Sequence, residues 1–449
     1  MPTAAIATFG CRLNQADTAL LADELRQGGF TIVPWGSPAD LQIINSCSVT
    51  GTASQKSRQA VHQARKISPQ SFIIIAGCDA SAEAALWAAD CDVDLVLPNP
   101  KPAALLPLLP AELRHSAAVQ SKLVPAVPLR EDFRHPGTGY FFDRTRANLK
   151  IQEGCDFYCS YCLVPSTRGR AYSRNLDDIL REAEALLSRG HRELVLTGVN
   201  IATYRNSGLD LAGLLLRLLD VDPSFRIRLG STEPGPVLER VVEVMAEQPR
   251  LCRFLHLPVQ YGESSILQRM RRHYSAAEYA QSVIRAWEKV PLLCLGTDVI
   301  VGFPGETEQT FAECLQFLTE LPFGLMHVFP YSPRAGTPAA TFPDQVPAGL
   351  AERRAARLLR LAEEKCQQFA DRQIGQRLPV LLEKDSPHAE GWTDNYLKVR
   401  LPQHPGLRAN TLITAEIVRR LNHRAVLGTA PQPCHFTPAA PPETPDGNH

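Results

Sequence analysis

Several features are missing from this chain of 449 residues, and each absence narrows what it can be. Net charge is missing, because 47 basic residues balance 47 acidic ones. No global field recruits a polyanion, so contact with nucleic acid has to come from a local patch. No uninterrupted apolar run approaches the ~20 residues needed to cross a bilayer, so no membrane partner is expected. The opening residues, MPTAAIATFGC, lack a basic stretch followed by a long apolar one. No signal peptide is therefore expected, and the cytoplasm is the expected location. Two Cys-x2-Cys pairs, the usual mark of a closed zinc site, are also absent. Twelve cysteines in such a chain point to metal ligation rather than disulfides.

What is present is a dense loop, KIQEGCDFYCSYCLVPSTRGRAYSR, at residues 150–174. Cys155, Cys159 and Cys162 stand in a Cys-x3-Cys-x2-Cys pattern, with Tyr161 just before the last. Three thiolates on one short loop can hold three irons of a 4Fe-4S cluster and leave the fourth iron open. The plainer reading is three unconnected buried thiols. The loop resembles the signature of the radical S-adenosylmethionine enzymes. That resemblance implies that S-adenosylmethionine chelates the open iron and is cleaved by one electron, giving a radical that abstracts hydrogen. It also implies that Tyr161 packs near the adenine.

Upstream, strands and helices alternate: AAIATFG (4–10), a helix over 15–27, strands at 30–34 and 41–47, a helix over 54–66, then strands at 72–78 and 95–98. Alternation of this kind predicts a doubly wound parallel sheet over 1–120. Cys11, Cys47 and Cys78 each end a strand, and in an open α/β sheet those ends share one edge where ligands bind. They read either as a second three-cysteine cluster site or as buried core cysteines. Cys91 lies outside the pattern and reads as structural. Residues 121–147 read as a linker, with some helix expected before it around 103–113.

From 148 to 370 six strand candidates separated by helical patterns predict a partial (βα)6 barrel with its chemistry at the strand C-terminal ends. Those ends carry Thr197, Ser231, Glu233 and Gly302. The superfamily resemblance implies that these four hold S-adenosylmethionine; turn and helix-cap roles are the alternatives. His256 reads as a core histidine or a catalyst. Arg168 and Arg174 read as facing an anionic substrate or as solvated surface residues. A long amphipathic helix spans 348–372. Residues 371–430 then turn to short strands, predicting a small β-barrel. Residues 371–428 hold nine Lys or Arg against six Asp or Glu. Trp392, Tyr396, Lys398, Arg400, Arg419, Arg420 and Arg424 mix aromatics with bases, as a single-stranded RNA surface would. The Pro-rich tail, 431–449, is expected to be disordered.

Further motifs extend the resemblance: GCRLNQADT (10–18), INSCSVT (44–50), AGCDA (76–80), HLPVQYGESSILQRMRRHY (256–274) and HVFPYSPRAGTPAA (327–340). Over about 3–428 the chain resembles the radical S-adenosylmethionine methylthiotransferases, and its C-terminal barrel resembles a TRAM domain, an RNA-binding module. The family's branches modify threonylcarbamoyladenosine in tRNA, isopentenyladenosine in tRNA, or an aspartate of a ribosomal protein. Leu13-Asn14-Gln15, Val49-Thr50 and GWTDNYLKV look most like the first branch. Arg12 where Lys is expected, Ala16-Asp17 for an aromatic–acidic pair, and Asp79 for an aromatic depart from it. The resemblance implies two 4Fe-4S clusters, one on Cys11, Cys47 and Cys78 and one on Cys155, Cys159 and Cys162. It further implies methylthio transfer to C2 of the adenosine beside the tRNA anticodon and an external electron donor.

Overall fold

In the computed structural model, residues 1–49, 51–99, 105–115, 122–125, 145–385, 387, 389–402, 406–429 and 432–433 are described. The expected linker and tail fall largely outside them.

Strands β1 (Thr3–Thr8), β2 (Thr31–Val33), β3 (Leu41–Ser46), β4 (Phe72–Gly77), β5 (Leu95–Pro98) and β6 (Lys122–Leu123) form one sheet in the order β2-β1-β3-β4-β5-β6. Every neighbouring pair is parallel. Successive side chains face opposite sides, so both faces must be covered. Ile43 and Ile74 pack with Leu21 and Leu25 of α1 (Arg12–Gln27). Ile44, Ile73 and Ile75 pack on the other face with Val61 and Ala64 of α2 (Gly51–Ile67). Each fully buried aliphatic side chain contributes roughly 1.5–3 kcal/mol. The helix expected around 103–113 is only a single turn, Leu106–Leu108, among the described residues. Pro110 holds Leu109 extended, which stops it.

The central unit is an arc of six parallel strands: β7 (Arg146–Lys150), β8 (Glu193–Thr197), β9 (Arg226–Leu229), β10 (Phe254–His256), β11 (Cys294–Val301) and β12 (Phe323–Pro330). Bridges Ile227–Leu251 and Ser231–His256 join its two halves. Leu149, Leu194, Leu196, Ile227 and Leu255 point outward into a core shared with the surrounding helices. The alternate residues, among them Asn148, Thr197, Arg228 and His256, face the lumen. The long helix α5 (Ala348–Asp371) packs along β12, with Lys365 Nζ donating to Leu321 O at 2.7 Å.

The C-terminal unit closes five strands, β13 (Arg377–Leu382), β14 (Glu390–Thr393), β15 (Lys398–Arg400), β16 (Leu412–Asn422) and β17 (Ala425–Gly428), into a small barrel through the β13–β16 pairing. It seals the N-terminal end of the central arc. Arg226 donates to the carbonyls of Pro379 and Trp392, and Arg228 to those of Thr393 and Asp394, all at 2.8–3.1 Å. This corrects part of the expected RNA surface. Tyr396 turns inward, stacked on Phe254 (centroids 4.4 Å apart) and on Trp392 (4.9 Å), and its hydroxyl accepts from Arg12 at 2.9 Å. Lys398 and Arg400 both pair with Glu390, Arg400 staying exposed, and Arg419 and Arg424 are exposed as well. A cavity of about 440 Å³ lies where the three units meet, lined by Arg12, Gln15, Asn148, Val195 and Tyr396 among others.

Candidate active site

Because β1, β3 and β4 are adjacent and parallel, the residues after them converge on one edge. Cys11 is the N-cap of α1, Cys47 follows β3, and Cys78 opens the short helix α3 (Cys78–Ala82). Their closeness is felt electrostatically. Burial pushes the Cys47 thiol up to about 12, and Cys11 and Cys78 push it further in the same direction. Burial also raises the Cys78 thiol, opposed by Arg168. Gly10 makes the approach possible, since its φ is +94° and a Cβ there would stand 2.5 Å from Cys47 Sγ.

The second triplet sits beyond β7. Gln152–Glu153 pairs antiparallel with Tyr172–Ser173, closing the base of the cysteine loop. Gly154 adopts φ +69° there, where a Cβ would overlap the Arg170 carbonyl. Gln152 Oε1 accepts from the N–H groups of Val199 and Asn200 at 2.9 and 3.0 Å, tying the loop after β8 to this base. Burial raises the Cys155 thiol to about 11 and the Cys162 thiol to about 12, and Cys159 adds to both. The N–H groups of Phe157 and Val164 approach Cys155 and Cys162 sulfurs at 3.5 and 3.4 Å, and Arg272 Nη1 approaches Cys159 Sγ at 3.4 Å.

These six free cysteines fall into two groups of three, of which Cys47, Cys78 and Cys159 are buried, Cys155 and Cys162 half-buried and Cys11 exposed. Four donor contacts, from Phe157, Val164, Arg272 and Arg168, go to sulfur, the polarity that suits thiolates rather than thiols. Buried thiols raised this far keep their protons at neutral pH and make poor nucleophiles, so a metal that draws the protons off fits them better than nucleophilic catalysis.

Of the other expected residues, Tyr161 belongs to the second triplet's loop and Glu233 reaches it through Arg272, while Thr197, Ser231 and Gly302 stand at the strand ends, hydrogen-bonded to groups other than cysteine. Tyr161 meets Phe303 edge-on, centroids 6.4 Å apart, and its phenol is raised well above its ordinary range by burial. Glu233 is ion-paired with Arg272, and burial raises its carboxyl. Thr197 is buried and donates to Val195 O at 3.1 Å. Ser231 Oγ lies 2.8 Å from His256 Nδ1. Gly302 packs on Ala351, and its N–H donates to Glu306 Oε2 at 2.9 Å.

Two readings need correction. Arg168 and Arg174 face neither substrate nor solvent, being 2% and 0% exposed. Arg174 is held by Asp178 at 2.6 Å and by Glu182. Arg168 joins Glu153 at 2.7 Å and Asp17 at 3.0 Å, and its Nε–H donates to Cys78 Sγ at 3.0 Å. A polar group that sequence reasoning missed also faces the lumen. Asp298 Oδ1 accepts from His256 Nε2 at 3.1 Å and His327 Nδ1 at 3.0 Å. Burial opposes ionisation of Asp298, but the two hydrogen bonds outweigh it and hold the carboxyl well below the usual range. The available signal was an aspartate inside the apolar run CLGTDVIV.

Residues 149–318 match the Radical SAM superfamily, and residues 3–98 match the uncharacterized protein family UPF0004. The chain is 35% identical to threonylcarbamoyladenosine tRNA methylthiotransferase MtaB of Bacillus subtilis, covering 89% of this chain and 90% of that one. The chain belongs to the radical S-adenosylmethionine methylthiotransferase family. It is also 35% identical to tRNA-2-methylthio-N(6)-dimethylallyladenosine synthase of Paraburkholderia xenovorans, covering 93% and 95%. Among solved structures, the radical S-adenosylmethionine methyltransferase TsrM of Kitasatospora setae shares the fold, with a TM-score of 0.52 and 15% identity over 75% of this chain and 76% of that one. A doubly wound N-terminal parallel sheet, a partial radical S-adenosylmethionine barrel and a small C-terminal β-barrel were the expected architecture, and the methylthiotransferase has all three, the last with five strands. No helix among the described residues is long and apolar enough to cross a membrane.

Proposed function

We propose that this methylthiotransferase acts in the cytoplasm on tRNA, adding a methylthio group to C2 of threonylcarbamoyladenosine at position 37, beside the anticodon. The observation that carries the two-site chemistry is the pairing of two three-cysteine groups across one domain interface. In this reading Cys11, Cys47 and Cys78 hold one 4Fe-4S cluster and Cys155, Cys159 and Cys162 hold the other. When bound, the clusters and S-adenosylmethionine supply reductive sulfonium cleavage and a sulfur for transfer, with electrons from an external donor.

The chain's own residues orient and enclose that chemistry. Arg272 faces Cys159 and is itself fixed by Glu233 and by Tyr274, whose hydroxyl lies 2.7 Å from Arg272 Nη2. Tyr161 and Phe303 give the cysteine loop an apolar wall on which an adenine can pack. Thr197, Ser231, Glu233 and Gly302, at or just beyond the strand ends, are assigned to S-adenosylmethionine. The C-terminal barrel closes the opposite end of the lumen, so the mouth beside the cysteine loop is the entrance for a base. Exposed Arg419 and Arg424 supply a local cationic patch for the phosphate backbone.

Both tRNA branches are represented among relatives at 35% identity, so the motifs carry the choice of base. Leu13-Asn14-Gln15, Val49-Thr50 and GWTDNYLKV favour threonylcarbamoyladenosine. The test is mass spectrometry of nucleosides from total tRNA with and without a working copy of the gene. Loss of 2-methylthio-threonylcarbamoyladenosine, restored on complementation, is expected. Loss of the isopentenyladenosine derivative instead would overturn the base, and no change in either would move the substrate to a protein.

A further inference from the structure

One side chain joins the two cysteine groups. Arg168 ends the helix α4 (Val164–Arg168) that follows the second triplet, six residues beyond Cys162, and this helix packs on α3, which begins at Cys78. Its Nε–H donates to Cys78 Sγ at 3.0 Å. Nη1 donates to Glu153 at 2.7 Å, and Nη2 to Asp17 at 3.0 Å and to Asn14 Oδ1. Asn14 in turn donates to Phe9 O and Ser46 O, both at 2.8 Å. Those carbonyls belong to the turns that present Cys11 and Cys47. The guanidinium therefore touches one cysteine of the N-terminal group directly and steadies the other two through a single amide.

The charge arrangement shows what the Nε contact does. Lys150 lies 2.7 Å from Asp17 and also contacts Glu153, so two buried cations face two buried carboxylates. The four charges balance without any sulfur. The rigid fork satisfies both acids through its Nη atoms and leaves Nε–H for Cys78, a division a lysine ammonium cannot reproduce. An N–H donor and a buried positive charge at a cluster sulfur favour the reduced, more negative state, and burial amplifies both.

We propose that Arg168 is a positioning residue that orients Cys78 and raises the reduction potential of the N-terminal cluster while locking that site to the loop of the other three cysteines. This rests on the reading that Cys11, Cys47 and Cys78 hold a cluster. The test uses the full chain with Cys155→Ala, Cys159→Ala and Cys162→Ala, reconstituted anaerobically so that only the N-terminal site can load. Iron and sulfide content are measured, and the midpoint potential is followed by paramagnetic resonance during a redox titration. Adding Arg168→Lys should leave the iron content close to that of the triple variant and shift the midpoint to lower potential. Arg272→Lys, whose donor faces Cys159, should leave it in place. If the lysine variant does not fold, Arg168→Gln with Glu153→Gln, which removes one charge of each sign, should show the same downward shift. A loaded cluster with an unchanged midpoint in the folded variant overturns the role of Arg168. A triple variant that takes up no iron overturns the two-cluster reading, and this inference with it.

Discussion

Glu193 is the strongest handle on how the radical domain holds the C-terminal barrel. It is fully buried at the start of β8, and its two oxygens accept from Arg226 Nε and Arg228 Nε, both at 2.6 Å. The same two guanidinium groups spend their remaining N–H donors on four carbonyls of the C-terminal barrel. Glu193→Gln keeps the shape, so no cavity term enters, but it leaves two like charges buried without their anion. Breaking a buried ion pair in this way costs about 3–5 kcal/mol. Arg285 and Glu239 provide the contrast: they pair at 3.0 Å with both side chains more than 60% exposed, and Glu239→Gln should cost less than about 1 kcal/mol. Urea unfolding followed by tryptophan fluorescence reads the difference. With slopes of roughly 1–3 kcal/mol/M, Glu193→Gln should lower the midpoint of the barrel transition by at least about 1 M. Equal midpoints for the two variants would refute the argument that the buried carboxylate anchors the interface.

The same carboxylate predicts a pH dependence. Burial alone would raise Glu193, but Arg228 and Arg226 outweigh it and hold the carboxyl far below its ordinary value. Its contribution is therefore complete above the unfolded value of about 4.3 and is lost as pH falls below it, so the stability gap between wild type and Glu193→Gln should narrow from pH 5 towards pH 2. A gap that widens on acidification would contradict that sign. Cys159→Ala should abolish all S-adenosylmethionine cleavage, while Cys47→Ala should leave uncoupled cleavage without methylthio transfer; equal loss in both would sink the division of labour. Gly10→Ala places a Cβ 2.5 Å from Cys47 Sγ at φ +94°, so iron bound at the N-terminal site should fall severalfold while the Cys155 loop still loads, as iron analysis of single-site variants would report.

What could be read from the sequence was local or followed from a rule of topology. Alternation of strands and helices points to a parallel sheet, a parallel sheet puts its strand C-terminal ends on one edge, and so Cys11, Cys47 and Cys78 could be placed on that edge without a structure. What could not be read depended on partners in another domain. Arg168 looks like any basic residue after a loop, because Asp17 and Asn14 stand some 150 positions earlier with no periodicity linking them. Trp392 and Tyr396 look like a base-stacking surface until Phe254, Arg12 and Arg228 are found against them. Asp298 and His327 meet only through the β11–β12 register.

The same distinction bears on the departures from the branch signature. Arg12 reaches Tyr396 of the C-terminal barrel. Asp79, fully buried, accepts from Ser54 at 2.5 Å and Trp87 at 3.2 Å and stands 3.7 Å from Arg334 of the radical domain. A buried acid with these partners replaces the packing of an aromatic ring by hydrogen bonds within the N-terminal domain and one ion pair across the domain boundary. Arg12 thus bridges to the C-terminal barrel, away from the cysteine loop, whereas Asp79 directly follows Cys78 and meets Arg334 in the loop after β12, at the strand C-terminal ends where a base would enter. The third departure, Ala16-Asp17, puts Asp17 against Arg168. All three departures therefore fall on contacts between domains, and they bear on how this chain docks its domains as well as on the choice of base.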